Sequence, residues 1–269
     1  MFTNSMPIAV FDSGFGGITI LKQLLKLLPN ENYIYLGDNA NIPYGSKPKN
    51  QIIELTSKMV DFLIKQNCKI IVIACNTIAA STYDILKQKY NIPIIEVISN
   101  GVIDAVNNTK NNNISIMATE FTVNSKAYIE KINEYNKNIK ITQVACKELC
   151  PMIENDWNSY DNRFEVLEDY LKNIDSDSDT LILGCTHYPL IINDIKEVLK
   201  STNNSIKNII DPAYHTALSV KEYLENNNIL NDNHQYLDIY TTESIQKESK
   251  LINMILPSNI YYTLKYANL

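Results

Sequence analysis

Two cysteines in matching surroundings are the residues of this sequence best suited to chemistry. Cys75 follows the apolar run IVIA, and Cys185 follows the apolar run LILG. Each is followed at once by residues with hydrogen-bonding side chains: Asn76, Thr77, Thr186 and His187. A thiol between a buried strand and a helix N-terminus has its thiolate form favoured, because the helix macrodipole is positive there. Since a cysteine pKa of about 8.5 lies close to working pH, the pair predicts acid–base chemistry.

Two other interpretations of the cysteines stay open at this point. A single buried cysteine is commonly just a small core residue. A zinc site could draw on Cys146, Cys150, Cys185 and His187, which are ligand types that zinc accepts. However, the C-x3-C spacing with a distant C-x-H matches no familiar zinc knuckle, and Cys75 would stay unexplained. The five cysteines in 269 residues do not suggest a disulfide framework.

A second candidate site follows the first apolar run. Asp12 and Ser13 precede Gly14, Gly16 and Gly17, which predicts a turn that opens a helix. The N–H groups at such a helix start can hold an anion such as a carboxylate. The segment DSGFGG lacks the Gly-Lys-Ser/Thr ending of a P-loop, which disfavours nucleotide binding.

Composition narrows the function classes. The formal charge is −6, and the basic residues form no long stripe, which argues against nucleic-acid binding. No apolar run approaches the roughly 18 residues that a membrane span needs. The first residues lack the basic and apolar regions of a secretory signal, so a cytoplasmic location is expected.

The elements that must position these residues alternate between strands and helices. The predicted strands are 7–11, 33–37, 69–74, 93–98, 114–118, 139–145, 180–184, 208–211 and 236–241, and the clearest helices are 17–28 and 51–65. Continuously apolar strands between amphipathic helices predict an α/β fold with mainly parallel sheets. Ligands then bind beyond the carboxyl ends of the strands.

A weak internal repeat suggests two similar halves. IAVFDSGFG at 8–16 resembles ISIMATEFT at 114–122, and IVIACNT at 71–77 resembles LILGCTH at 181–187 at a nearly equal offset. Each half would therefore contribute one cysteine at the end of a strand. We expect a first α/β lobe of residues 1–98 plus 208–269 and a second of residues 99–207.

Five blocks of the sequence resemble, in order, the signature blocks of bacterial glutamate racemases. They are VFDSGFGG (10–17), YLGDNANIPYG (35–45), IACNT (73–77), ATEFTVNSKAY (118–128) and LGCTHYPLI (183–191). The resemblance implies two pseudo-twofold-related α/β lobes with the active site in the cleft between them. It also implies racemisation of L- and D-glutamate by two-base proton transfer, which would supply D-glutamate for peptidoglycan.

Residue roles follow from the resemblance motif by motif. Cys75 and Cys185 correspond to the catalytic thiols that take the α-proton from the D- and the L-enantiomer, respectively. Asp12 corresponds to the group that assists the first thiol, and His187 and Glu154 to those that assist the second. The implied substrate-binding residues are Asp12, Ser13, Tyr44, Gly45, Asn76, Thr77, Thr119, Thr122, Thr186 and His187.

The resemblance implies no cofactor, neither pyridoxal phosphate nor a metal. The expected partner is the substrate glutamate, with no nucleic acid or membrane, and a homodimer is left open. The sequence departs from its relatives at Ser99-Asn100-Gly101 and Asp211-Pro212-Ala213, and the position of Glu154 depends on a gapless alignment. An aspartate racemase, a decarboxylase on a related scaffold and a non-catalytic amino-acid-binding protein are the alternatives. Decarboxylating relatives usually lack one thiol, and paired thiols argue against simple binding.

Overall fold

The chain divides into two compact units. A computed structural model describes residues 2–202, 204–233 and 236–269. The first unit comprises Met1–Val97 and Ala213–Leu269, and the second comprises Ile98–Pro212. None of the helices in the described part of the chain combines the length and apolar character that a membrane span requires.

Strands and helices alternate through most of the chain. In order they are β1 (Ile8–Asp12), α1 (Ile18–Leu27), β2 (Tyr33–Gly37), α2 (Lys49–Lys65), β3 (Ile70–Ile73), α3 (Asn76–Lys89), β4 (Ile94–Glu96), α4 (Val97–Asn108), β5 (Asn113–Ala118), α5 (Glu120–Ser125), α6 (Ala127–Tyr135), β6 (Lys140–Ala145), α7 (Leu149–Glu154), α8 (Arg163–Leu171), β7 (Thr180–Gly184), α9 (Ile192–Ser201), β8 (Asn208–Ile210), α10 (Ala213–Asn226), β9 (Leu237–Thr241), α11 (Ile245–Ile255) and β10 (Thr263–Tyr266).

The first unit is built on a parallel sheet with the strand order β10-β9-β2-β1-β3-β4. Strands β1, β2 and β3 are buried along their whole length. A parallel strand covered on both faces needs a continuous apolar run, which is what the sequence shows there. Helix α1 buries Ile18, Leu21 and Leu24, the stripe that its periodicity predicts.

The second unit has its own parallel sheet, in the order β6-β5-β7-β8. The central strands β5 and β7 are buried throughout, whereas β6 lies at an edge and is partly exposed. Helices α7, α8 and α9 pack around one apolar cluster that includes Leu149, Trp157, Leu167 and Ile195. The α/β class predicted from the sequence is confirmed, with two parallel sheets.

Two details differ from the sequence-based expectation. Residues 208–211 were expected in the first lobe, but β8 pairs with β7 in the second sheet, and the Asn208 amide donates to the Asn108 carbonyl oxygen at 3.2 Å. Strand β10 was not predicted, because this strand at the sheet edge has two exposed ends and two half-buried central residues, which leaves no apolar run to recognise.

Candidate active site

Cys75 lies at the carboxyl end of β3 and directly before α3. Its backbone is extended, and its carbonyl oxygen accepts the N–H of Ala79 at 2.9 Å, so Cys75 is the N-cap residue of this 14-residue helix. The side chain is only 6% exposed. The predicted position at a helix N-terminus is confirmed, and the macrodipole there favours the thiolate form.

A short hydrogen-bonded chain joins Cys75 to a buried carboxylate. Ser13 Oγ lies 3.4 Å from Cys75 Sγ and donates to Asp12 Oδ1 at 3.2 Å. The N–H of Gly14 donates to the same carboxylate oxygen at 2.9 Å. Asp12 is fully buried at the end of β1, so its charge acts in a low-dielectric setting. The residues Asp12, Ser13 and Cys75, predicted from separate blocks, thus come together.

The glycines after Asp12 serve packing rather than an unusual backbone angle. No described glycine has a positive φ, and α1 begins after Gly17, which caps it without a side-chain hydrogen bond. Asp12 therefore lies ahead of the helix, and Gly17 is the N-cap residue. A Cβ at Gly17 would lie 2.7 Å from Asp12 Cβ and 2.8 Å from Ala74 Cβ, so only glycine lets α1 start this close to the carboxylate.

The loop after β2 is organised by Asp38, which the sequence analysis did not single out. Its fully buried carboxylate accepts the Tyr44 hydroxyl at 2.6 Å, the Asn41 amide at 2.9 Å and the Thr242 hydroxyl at 2.8 Å. Burial and the charge of Asp38 raise the pKa of Tyr44 far above its usual value, so its hydroxyl stays protonated. Tyr44 and the half-buried Gly45 lie in a short 3₁₀ turn of this loop.

The second thiol stands in a different setting. Cys185 follows β7, with its Sγ 3.6 Å from His187 Nδ1, and His187 Nε2 lies 3.0 Å from Glu154 Oε1 at the end of α7. Cys185 and His187 are 6% and 4% exposed. Glu154, whose position in the family motif depended on a gapless alignment, thus lies in contact with His187. A helix N-terminus does not follow Cys185, because a 3₁₀ turn at Tyr188–Ile191 intervenes before α9.

Burial and neighbouring groups set the protonation of this pair. Burial raises the pKa of Cys185 well above its ordinary value, and the adjacent Cys150 raises it further. Burial alone would lower the pKa of His187, but Cys185 and Glu154 together hold it well above its ordinary value. His187 can therefore carry a proton between a thiol and a carboxylate.

Cys150, which the sequence analysis considered only as a possible zinc ligand, lies against Cys185. Its Sγ lies 3.1 Å from Cys185 Sγ, and it is partly buried within α7. Cys150 Sγ, Cys185 Sγ and a ring nitrogen of His187 all lie within 4.8 Å of one another, which makes them the described residues whose grouping could hold a metal. The C-x3-C and C-x-H spacings matched no familiar zinc knuckle, because this proximity depends on how α7 packs in the core of the second unit.

The remaining predicted binding residues fall into two groups. Asn76 and Thr77 form the buried first turn of α3, and Thr186 is buried beside Cys185. Thr119 is the N-cap of α5, with its Oγ1 accepting the Thr122 N–H at 3.4 Å and lying 3.0 Å from the Thr122 hydroxyl. Thr119 and Thr122 thus form a helix cap, and their role in substrate binding stays a prediction.

Relatives of known type match nearly the whole chain. A glutamate racemase of Fusobacterium nucleatum is 45% identical over 233 residues, which is 86% of each chain. A crystal structure of a glutamate racemase isoform from Bacillus anthracis has a TM-score of 0.93 at 32% identity and covers 99% of this chain and 98% of its own. A glutamate racemase of Francisella tularensis, crystallised with D-glutamate, has a TM-score of 0.89 at 36% identity over 98% of both chains.

The family comparison agrees with these relatives. The family described as Asp/Glu/Hydantoin racemase matches residues 17–217, about three quarters of the chain and a stretch that includes both cysteines of interest. The chain belongs to the Asp/Glu/hydantoin racemase family.

Proposed function

We propose that this protein is a glutamate racemase that interconverts L- and D-glutamate without a cofactor. In this proposal Cys75 and Cys185, one from each unit, exchange protons with opposite faces of the α-carbon. The observation that carries the proposal is that each buried thiol lies next to its own proton-handling group and carboxylate. These are Ser13 and Asp12 for Cys75, and His187 and Glu154 for Cys185.

The glutamate preference is supported by the relatives. The Fusobacterium and Francisella proteins, at 45% and 36% identity, are glutamate racemases, and the second was crystallised with D-glutamate. We extend this substrate to the present chain. A cytoplasmic location and supply of D-glutamate for peptidoglycan follow from the same family assignment.

The proposed reaction removes one proton from the α-carbon of glutamate and adds another to its opposite face. One cysteine, as thiolate, removes the α-proton while the electrons of the C–H bond move into the α-carboxylate. The other cysteine, as thiol, delivers its proton to the opposite face. Two groups are needed because a single base would have to cross the molecule between the two steps. Each turnover exchanges the protonation states of the two cysteines, and His187 and Ser13 are suited to support that change.

The developing negative charge needs stabilisation from the protein. The N-terminus of α3 and the side chains of Ser13, Asn76, Thr77 and Thr186 are the groups that we expect to hold the α-carboxylate. Such preorganised donors are typically worth about 3 kcal/mol each when removed. The buried positions of these side chains strengthen each hydrogen bond relative to bulk water.

Isotope exchange tests the reaction and its substrate together. The purified protein is incubated in D2O with each enantiomer of glutamate and, separately, of aspartate, and chirality and α-deuteration are followed. A two-base enzyme puts solvent deuterium into the product well before the starting enantiomer acquires it. Racemisation of aspartate but not glutamate would contradict the substrate, and binding without α-exchange would contradict the enzyme class.

Substitution of each thiol tests the two-base scheme. We expect Cys75→Ser and Cys185→Ser each to abolish racemisation with the fold preserved, because a hydroxyl is far too weak an acid to replace either thiol near neutral pH. Cys68→Ala is the matched control, since Cys68 is a buried thiol whose Sγ donates to the Leu63 carbonyl oxygen at 3.4 Å. Circular dichroism checks folding, and full activity in either serine variant would refute the scheme.

A further inference from the structure

A third cysteine lies against Cys185 without a role in the proposed proton transfer. Cys150 projects from α7, and its Sγ is 3.1 Å from Cys185 Sγ. Cys185 Sγ is in turn 3.6 Å from His187 Nδ1. All three residues belong to the second unit, so their grouping does not depend on the first.

The donor atoms of this group are those preferred by thiophilic metal ions. Thiolate sulfur and imidazole nitrogen are the common protein ligands of zinc, and they also suit other borderline-soft cations. In a tetrahedral site with Zn–S bonds of 2.3 Å, two sulfurs stand about 3.8 Å apart and a sulfur and a nitrogen about 3.6 Å. The separation of 3.6 Å between Cys185 Sγ and His187 Nδ1 already fits, and the two sulfurs, now 3.1 Å apart, would have to separate by less than about 1 Å. The separation between Cys150 Sγ and a ring nitrogen of His187 lies within 4.8 Å.

The surroundings of His187 also favour its use as a metal ligand. Its Nε2 lies 3.0 Å from Glu154 Oε1, and its Nδ1 faces Cys185. A ligating histidine typically has its other ring nitrogen on a carboxylate, because this fixes the ring orientation and makes the ligand more basic. Glu154 therefore presents His187 in the manner of a histidine in a metal site.

We propose that Cys150, Cys185 and His187 bind Zn²⁺ or a similar thiophilic divalent cation, and that the bound ion inhibits the protein by occupying Cys185. Binding replaces the protons of both thiols and of Nδ1, which pass to solvent, and forms two metal–sulfur bonds and one metal–nitrogen bond. The inhibitory part rests on the proposed function, whereas the binding part does not. The ion is not a cofactor of the reaction, since it withdraws a proposed acid–base group.

Metal binding is tested with Co²⁺ as a spectroscopic probe of the chelator-treated, reduced full-length protein. We expect thiolate-to-cobalt absorption that Zn²⁺ displaces, from the wild-type protein and from the Cys68→Ala control alike. Cys150→Val should weaken Co²⁺ and Zn²⁺ binding at least about tenfold, because it removes one of three protein ligands. Equal affinity of Cys150→Val and the wild type would overturn the proposal.

Inhibition is measured separately, so that its failure is distinguishable from failure of the proposed function. We expect Zn²⁺ to inhibit racemisation by the wild type, a chelator to restore it, and Cys150→Val to stay active at Zn²⁺ concentrations that inhibit the wild type. Equal sensitivity of the two proteins would overturn the inhibitory role. Cobalt binding in a protein that racemises nothing would leave the site standing and refute the proposed function. Thermal melting checks that Cys150→Val is folded, and Cys150→Ala replaces it if it is not.

Discussion

The two proposed thiols have different supporting groups, and this asymmetry has consequences at the level of single residues. Cys75 is supported by a helix N-terminus and a serine, so its thiolate is favoured by fixed dipoles. Cys185 lacks a helix N-terminus and is supported by His187, which can carry a proton itself. The two proposed acid–base groups are therefore supported by different physical means: fixed dipoles at Cys75 and a titratable side chain at Cys185.

His187→Gln should expose this asymmetry. We expect kcat/KM to fall by about 10²- to 10⁴-fold, the usual worth of a general acid–base group. The fall must be equal in both directions, because the equilibrium constant of racemisation is one. The primary isotope effect should grow more with α-deuterated L-glutamate than with D-glutamate, since Cys185 is the proposed base for the L-enantiomer.

The comparison requires steady-state assays of both enantiomers with and without α-deuterium. Ser13→Ala provides the mirror control, because it removes the hydroxyl beside Cys75 instead. We expect its isotope effect to grow more with D-glutamate. An increase for the same enantiomer in both variants would show that the two residues do not serve separate thiols.

At the scale of elements, close packing around the start of α1 holds Asp12 in position. Gly17→Ala would place a Cβ within 2.8 Å of both Asp12 Cβ and Ala74 Cβ. We expect a loss of about 1 to 3 kcal/mol in the free energy of unfolding, as for other overpacked sites. Activity should fall by up to about 10²-fold, because a small displacement of a positioned group is costly.

Urea denaturation and steady-state kinetics measure these two effects. Ala74→Gly in the Gly17→Ala background removes one of the two close contacts and should restore part of both. An unchanged activity in Gly17→Ala would mean that the Asp12 carboxylate does not need its present position.

A buried ion pair joins four separate segments of the first unit. Lys69 Nζ lies 2.6 Å from Glu31 Oε2 and donates to the carbonyl oxygens of Asn4 at 2.8 Å and Ile229 at 2.7 Å. Both charged side chains are essentially inaccessible to solvent. The C-terminal segment is thereby tied to the strands of the N-terminal segment.

Lys69→Met should lower the free energy of unfolding by about 3 to 5 kcal/mol, because it leaves the Glu31 carboxylate buried without the opposite charge of Lys69. Urea denaturation at neutral pH measures the loss. Replacing both residues, as Lys69→Met with Glu31→Leu, should recover much of it, since no lone buried charge then remains. A single variant as stable as the wild type would show that water reaches Glu31.

For the molecule as a whole, buried tyrosine hydroxyls and cysteine thiols make the free energy of unfolding depend on pH in the alkaline range. Burial raises the pKa of Cys68 from 9.0 to about 12, and burial raises the pKa values of Cys146, Tyr33 and Tyr35 well above their ordinary ranges. The folded protein holds these groups neutral, whereas the unfolded chain ionises them at ordinary pH values.

The sign of the effect follows from these raised pKa values. The stabilisation is complete below pH 9 and is lost as the pH rises from there toward 12, because only the unfolded chain releases the Cys68 proton in that interval. Urea midpoints measured across this range should decrease. Cys68→Ala should show a shallower decrease than the wild type, and identical slopes would contradict the buried thiol's contribution.

Much of this protein was determined by sequence alone, because the relevant signals are local. Runs such as IVIA and LILG are continuously apolar since a parallel strand is buried on both faces, so they predict the sheets. The residue that follows each run lies at the carboxyl end of its strand, where ligands bind in α/β folds. This position identifies Cys75 and Cys185 as candidate site residues. The hydrogen bond from Ser13 to Asp12 joins adjacent residues, so it is local in the sequence as well.

The tertiary structure alone decided what depends on pairing distant segments. The sequence of residues 208–210 does not indicate which sheet the strand joins. Cys150 lies 35 positions before Cys185 in the sequence, and the two sulfurs meet because α7 packs on the core of the second unit. Asp38 acquires its importance only where Tyr44 and Thr242 converge on it. Periodicity specifies which face of an element is buried, but the partner on that face is set by the folded chain as a whole.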